Sequence, residues 1–299
     1  MSVPAAYLGV ILIWATTPLA IQWSATGPGF LFGVTARMCL GAVVALALLR
    51  LLRQPLPHDR RSIISYAIAG MSIYSAMLAV YWSSQFIPSG WISVLFGLNP
   101  LVTAVLAAMR FRENTLGPLR LLGVLMGLAG LGIIFGEGAD LDGMAAWGVF
   151  GVLFAVFAHA GAALEIRHIQ APVPALAMTT GGLLLASTLL LGTWAIAEGT
   201  WPQDLPARAI GSIAYLGVVG SVLGFSLYYY VLKKLGAARI ALITLITPVG
   251  ALMLGKVFND EAISAQTAWG TAAILVGLGL YFLEDRQPRR NATLAVERE

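Results

Sequence analysis

A proline and a glutamate recur in this chain at one fixed spacing, and few folds accommodate that recurrence. Pro100 lies inside an apolar run and Glu113 follows thirteen positions later; Pro248 lies inside another and Glu261 again follows thirteen later. At the same offset of 148, Tyr81-Trp82 falls on Tyr229-Tyr230, Ile92 on Ile240 and Leu95 on Ile243. One residue out of step, Gly123, Gly130 and Gly132 fall on Gly270, Gly277 and Gly279. The chain reads as two related halves, 1–138 and 139–284, followed by a charged tail, 285–299. In a membrane chain such repeats place the binding site where the halves meet.

Lipid is the solvent. Apolar residues make up 59% of the chain and charged residues 11%, against roughly 25% charged in soluble domains. Spans of about twenty apolar residues fall at 4–24, 30–50, 63–85, 89–109, 117–136, 143–165, 173–197, 209–232, 237–257 and 265–283. The expected fold class is an all-α polytopic membrane protein of ten transmembrane helices in two five-helix repeats. An odd number of spans per repeat inserts the second half upside down. The first span lacks a basic leader and reads as an uncleaved helix.

Positive charge fixes the orientation. Of 18 Lys and Arg, fifteen, from Arg50 and Arg53 through Lys233 and Lys234 to Arg298, fall in the loops and tail on the N-terminal side. Arg208 and Lys256 fall on the other side, with the acidic loop Glu137, Asp140 and Asp142, and Arg37 lies within a span. Both termini are expected in the cytoplasm, with the tail mobile. The net charge of +4 reflects that one face and gives no reason to expect nucleic acid as a partner.

No catalytic constellation, metal-ligand spacing or phosphate-binding loop is present, so neither an enzyme nor a cofactor is expected. Cys39 is the lone cysteine. Small residues at helix-packing spacing, Gly29/Gly33, Gly123/Gly127, Gly132/Gly136 and Gly220/Gly224, read as close helix contacts within one monomer. Polar and aromatic residues inside spans must find partners or face a cavity. The candidates for substrate contact are Trp14, Tyr74, Tyr81, Phe96, Asn99, His159, Phe225 and Tyr228. Packing or the interfacial aromatic belt is the alternative for each lone aromatic. Pro18, Pro100 and Pro248 lie within spans and read as kinks or gating hinges. Arg37 reads as a structural residue bonded to helix ends or carbonyls, with a substrate carboxylate as the alternative. Glu165 is expected to pair with Arg167 or water, and Glu113 and Glu261 to cap helices or tie loops.

Two five-helix repeats, each ending in Pro-x12-Glu and a Gly-rich span, resemble the drug/metabolite transporter superfamily, specifically its EamA-type ten-helix transporters. Trp14 with Pro18, and Arg37 in the second span, also look like that pattern. The resemblance covers nearly the whole chain and is closest to the YddG-like exporters of aromatic and other neutral amino acids. It implies a cavity lined by spans one, three, four, six, eight and nine, alternating access, and residence in a bacterial inner membrane. The expected partners are the bilayer and a small neutral solute, with the monomer as the working unit. A multidrug or other metabolite exporter with proton antiport, and a non-transporting receptor, are the alternatives. His159 is the only histidine well inside a span and no Asp or Glu lies deep in one, so a facilitative carrier is expected over a proton-driven one.

Overall fold

In hydrocarbon a backbone satisfies its own polar groups as helix or closed barrel, and these runs take the helix. The computed structural model describes residues 3–111, 117–135, 143–224, 226–227, 230–231 and 237–286. Helices α1 (Val3–Ala25), α2 (Phe30–Leu51) and α3 (Arg60–Ser83) are followed by a short α4 (Ser89–Phe96), α5 (Asn99–Phe111) and α6 (Pro118–Phe135). Then come α7 (Gly143–Ile169), α8 (Ala175–Ala197), α9 (Ala207–Tyr215) with a π-helical continuation Leu216–Leu223, α10 (Ala237–Asn259) and α11 (Ala265–Arg286). Seven described stretches are long and apolar enough to cross a membrane, Ser89–Arg110 counted as one; Pro118–Ile134 and Ala207–Leu223 are shorter apolar helices. The chain is a multi-pass membrane protein. Leu8, Leu12, Phe150, Phe154 and Phe157 are exposed, an apolar exterior suited to lipid.

Two expected spans are built differently from the single helices the sequence suggested. The fourth is broken: α4 stops at Phe96, Gly97 and Leu98 close it with bonds back to Ser93, Val94 and Leu95, and α5 restarts at Asn99. Pro100 therefore sits in the first turn of α5, where its missing N–H costs nothing, and does not kink a continuous helix. The eighth widens into π geometry over Leu216–Leu223, the kind of bulge that recurs at functional sites. Pro18 and Pro248 do lie inside continuous helices.

α6 packs against α11, α3 against α7 and α8, and α2 against α8 and the π-helical segment. α1 lies on α9 and α10, α4 on α10, and α5 on α7. The α6–α11 crossing is made by glycine: a Cβ on Gly123 would lie 2.5 Å from the carbonyl oxygen of Gly277, and one on Gly130 would lie 2.6 Å from that of Gly270. Residue numbers rise along α6 as they fall along α11, so the two run antiparallel. Gly132 takes no part, with nothing within 4 Å of a Cβ there. Glu165 pairs with Arg110 (Nε–Oε1 3.3 Å), not Arg167, and fastens the end of α5 to the end of α7. α11 runs on through Arg286, two residues into the expected tail. Glu113 and residues 287–299 lie outside the described residues.

Candidate functional site

Three of the eight candidate contacts converge where α4 breaks. Phe96 closes α4, and its ring meets the His159 imidazole of α7 edge to face, centroids 6.4 Å apart. Asn99 opens α5 three residues on. Asn99 Oδ1 and His159 Nδ1 are both buried without a hydrogen-bond partner. Buried polar atoms are seldom left so, and each costs a desolvation penalty of about 1–3 kcal/mol. Two such atoms on packed helices, α5 and α7, make this the candidate site for a polar solute.

The remaining candidates are held in interhelical contacts. Tyr74 Oη lies 2.9 Å from Thr193 Oγ1 and joins α3 to α8. Tyr81 is fully buried; its hydroxyl accepts from Ser24 at 3.1 Å, and the Arg37 guanidinium lies 6.0 Å from its ring centroid. Trp14 is half-buried against a small core around Val10, Leu227 and Ile243. Phe225 and Tyr228 lie outside the described residues. Arg37 itself donates from Nε to Ser221 Oγ of the π-helical segment at 3.3 Å, a side chain where the sequence suggested helix ends or carbonyls.

A polar cluster at the α1–α2 end is larger than the sequence suggested. The Glu261 carboxylate accepts the amides of Ser89 (3.1 Å) and Gly90 (3.3 Å), the first residues of α4. Asn259 Nδ2 donates to Glu261 at 3.0 Å and to Gln22 Oε1 at 3.1 Å, and Asn259 Oδ1 accepts from Trp23 Nε1 at 3.1 Å. Gln22 in turn donates to the carbonyls of Ser84 and Ile87. The loop-tying role of Glu261 is thus realised as a carboxylate on a helix N-terminus, where charge and amides are complementary. Sequence gave one signal for the cluster: polar residues gathered at span ends.

A groove of about 530 Å³ opens between α1, α9 and α10, lined by Leu19, Ala20, Trp23, Tyr215, Leu254 and Phe258 among others. The Arg208 guanidinium at its edge lies 4.6 Å from the Trp23 ring centroid, and Thr16 and Tyr215 share a 2.6 Å hydrogen bond within it. None of the six described candidates lines it. It is open and largely apolar, whereas Asn99 and His159 hold unsatisfied polar atoms in the interior, so those atoms locate the candidate site. Among the described residues no group of three or more His, Cys, Asp or Glu is placed to hold a metal.

Several apolar spans around a buried, under-satisfied polar spot at a helix break are the build of a membrane carrier. The sequence profile of the EamA-like transporter family matches residues 3–136 and again 146–283, and the chain belongs to that family. It is 26% identical over 278 residues to the "Uncharacterized transporter YoaV" of Bacillus subtilis, covering 91% of this chain and 93% of that one. It is likewise 26% identical over 286 residues to the "Uncharacterized inner membrane transporter YedA" of Escherichia coli K12, covering 92% and 90%. A third relative, the "Probable terminal-alkyne amino-acid exporter" of Streptantibioticus cattleyicolor, is 25% identical over 295 residues, covering 94% and 96%. A solved crystal structure shares the fold with a TM-score of 0.68 at 22% identity, over 96% of this chain and 98% of that one. The protein is a membrane transporter.

Proposed function

We propose that this transporter exports small neutral solutes, aromatic and other neutral amino acids foremost, across a bacterial inner membrane, and does so by alternating access. The observation that carries the reading is the pair of orphaned buried atoms, Asn99 Oδ1 and His159 Nδ1, beside Phe96. A zwitterion brings an ammonium that donates to Asn99 Oδ1 and lies against an aromatic face, a contact worth about 0.5–2 kcal/mol. An aromatic side chain stacks on the same ring. The two other candidates on α3, the half-buried Tyr74 and the buried Tyr81, join α3 to α8 and α1. The name of the Streptantibioticus relative supports an amino acid as substrate, and that of YedA supports the inner membrane.

The same reading takes the chain as ten spans in two inverted halves, with both termini cytoplasmic. Several of the observed helix pairings have counterparts when the halves are exchanged: α1 on α10 answers α7 on α4 and α5, and α3 on α8 answers the π-helical segment on α2. The glycine pairs 123/277 and 130/270 exchange into each other under the sequence repeat, across helices that run antiparallel. The fifteen-to-two bias of positive charge supports the orientation. The carrier runs down the substrate gradient as a monomer, because a single deep histidine without a deep carboxylate is poor equipment for obligatory proton exchange.

Proteoliposomes preloaded with unlabelled L-phenylalanine should take up labelled L-phenylalanine by counterflow, and Asn99→Ala and His159→Ala should lose at least nine-tenths of it while remaining folded. Binding without accumulation inside the vesicles would mark a receptor and refute the reading.

A further inference from the structure

Arg37 lies seven residues into α2, about 10 Å along the helix from its start, and is 4% exposed. A guanidinium carries five donors and no acceptor. Here Nε reaches Ser221 Oγ, the ring of Tyr81 lies at 6.0 Å, and Nη1 is buried with no partner at all. No carboxylate pairs with it among the described residues. A buried cation that lacks a counter-ion inside a membrane bundle is costly, and such residues mark substrate or ion pathways.

What faces Arg37 is as unusual as its solvation. Ser221 and Gly220 belong to the π-helical segment Leu216–Leu223, and π geometry inside an α-helix recurs at functional sites. Two glycines admit this segment to α2: a Cβ on Gly41 would lie 3.3 Å from the Gly217 carbonyl oxygen and 3.3 Å from Ser221 Cβ. A Cβ on Gly220 would lie 3.6 Å from Arg37 Nη2, so no side chain from that position covers the guanidinium. Ser221 Oγ accepts from Nε and keeps its own proton to donate. The result is a fixed positive charge and a hydroxyl donor, closely framed and short of one acceptor.

We propose that Arg37, with Ser221, recognises the carboxylate of the transported solute and sets the carrier's preference for acids over their neutral or cationic derivatives. A carboxylate supplies the acceptor that Nη1 lacks and the charge that the bundle lacks, and charge-assisted bonds of this kind are the strong ones. For its probes this rests on the amino-acid reading above.

The test uses the full-length protein in nanodiscs, with binding followed by intrinsic tryptophan fluorescence. The probes are L-phenylalanine, L-phenylalaninamide and 3-phenylpropionate. Wild type should bind L-phenylalanine at least tenfold more tightly than the amide. Arg37→Gln should shrink that ratio to within about twofold without weakening the amide, a change that a purely structural arginine would not produce. Should Arg37→Gln fail to fold, Arg37→Lys and Ser221→Ala should each cut the ratio at least threefold. If L-phenylalanine and its amide both fail to bind while 3-phenylpropionate binds and depends on Arg37, the amino-acid reading falls and the carboxylate site stands. An amide that binds wild type as tightly as the acid, a ratio that survives the substitutions, or no binding of any of the three overturns the inference.

Discussion

Glu261→Ala is the substitution whose consequence the structure lets one work out most fully. The carboxylate satisfies two N-terminal amides of α4 and one amide proton of Asn259, and it fastens the segment after α10 to the start of α4. Loss of a helix cap costs about 1 kcal/mol, and a hydrogen bond to a charged group contributes about 1.5–3 kcal/mol. Partial exposure of the cluster, and the bond that Asn259 keeps to Gln22, argue for the lower end, about 2 kcal/mol in all. Under the alternating access proposed above, α4 and α10 part at one end in one half of the cycle. If the clasp exists only in the closed form, its removal favours opening by roughly thirtyfold, since about 1.4 kcal/mol is a factor of ten. Glu261→Gln keeps one acceptor oxygen of the two, so it should lose about half of the 2 kcal/mol and favour opening about fivefold. The assay is modification of a single cysteine at Ser93→Cys, in a Cys39→Ser background, by a membrane-impermeant maleimide. Labelling from the clasp side should accelerate ten- to thirtyfold in Glu261→Ala. An unchanged rate in folded, membrane-inserted protein would refute the idea that this carboxylate holds the end shut.

Other perturbations test separate parts of the argument. Gly277→Ala should cost about 1–3 kcal/mol by overpacking and lower the amount of folded protein, because its Cβ would lie 2.6 Å from the Gly123 carbonyl; Gly132→Ala, which meets nothing, should leave yield and melting temperature unchanged. Gln170→Gly should raise the melting temperature slightly, since Gln170 follows α7 at φ 50°, a left-handed conformation that glycine adopts without penalty. The Ser62 hydroxyl and amide hold the Asp59 carboxyl below its ordinary pKa. Its contribution to capping α3 is therefore present above the unfolded-state value and lost as pH falls through the lower folded one; the acid-induced loss of stability should weaken in Asp59→Ala. With equal substrate on both sides and an imposed pH gradient, proteoliposomes should show no net accumulation. Accumulation that disappears in Glu165→Gln while counterflow is retained would establish proton coupling.

The sequence by itself determined the class of molecule and most helix positions. In lipid the backbone must be satisfied within each segment, so a span is a local property, and α1 and α2 begin and end within a residue of where apolar composition places them. Local chemistry also marked Phe96, Asn99 and His159, because polar and aromatic residues inside apolar runs stand out one at a time. Which of the eight candidates meet was decided by tertiary structure. Tyr74 and Tyr81 look equivalent to Phe96 along the chain, yet their hydroxyls are taken up by Thr193 and Ser24, while Asn99 Oδ1 is left unpaired. The break before Asn99 needed Gly97 and Leu98 to bond backward, an option that hydropathy does not register. The surroundings of Arg37 depend on Ser221, 184 positions away, and on a π-helical turn that no periodicity in the sequence announces. Burial and hydrogen-bond satisfaction are properties of pairs of distant residues, and only the folded bundle brings those pairs together.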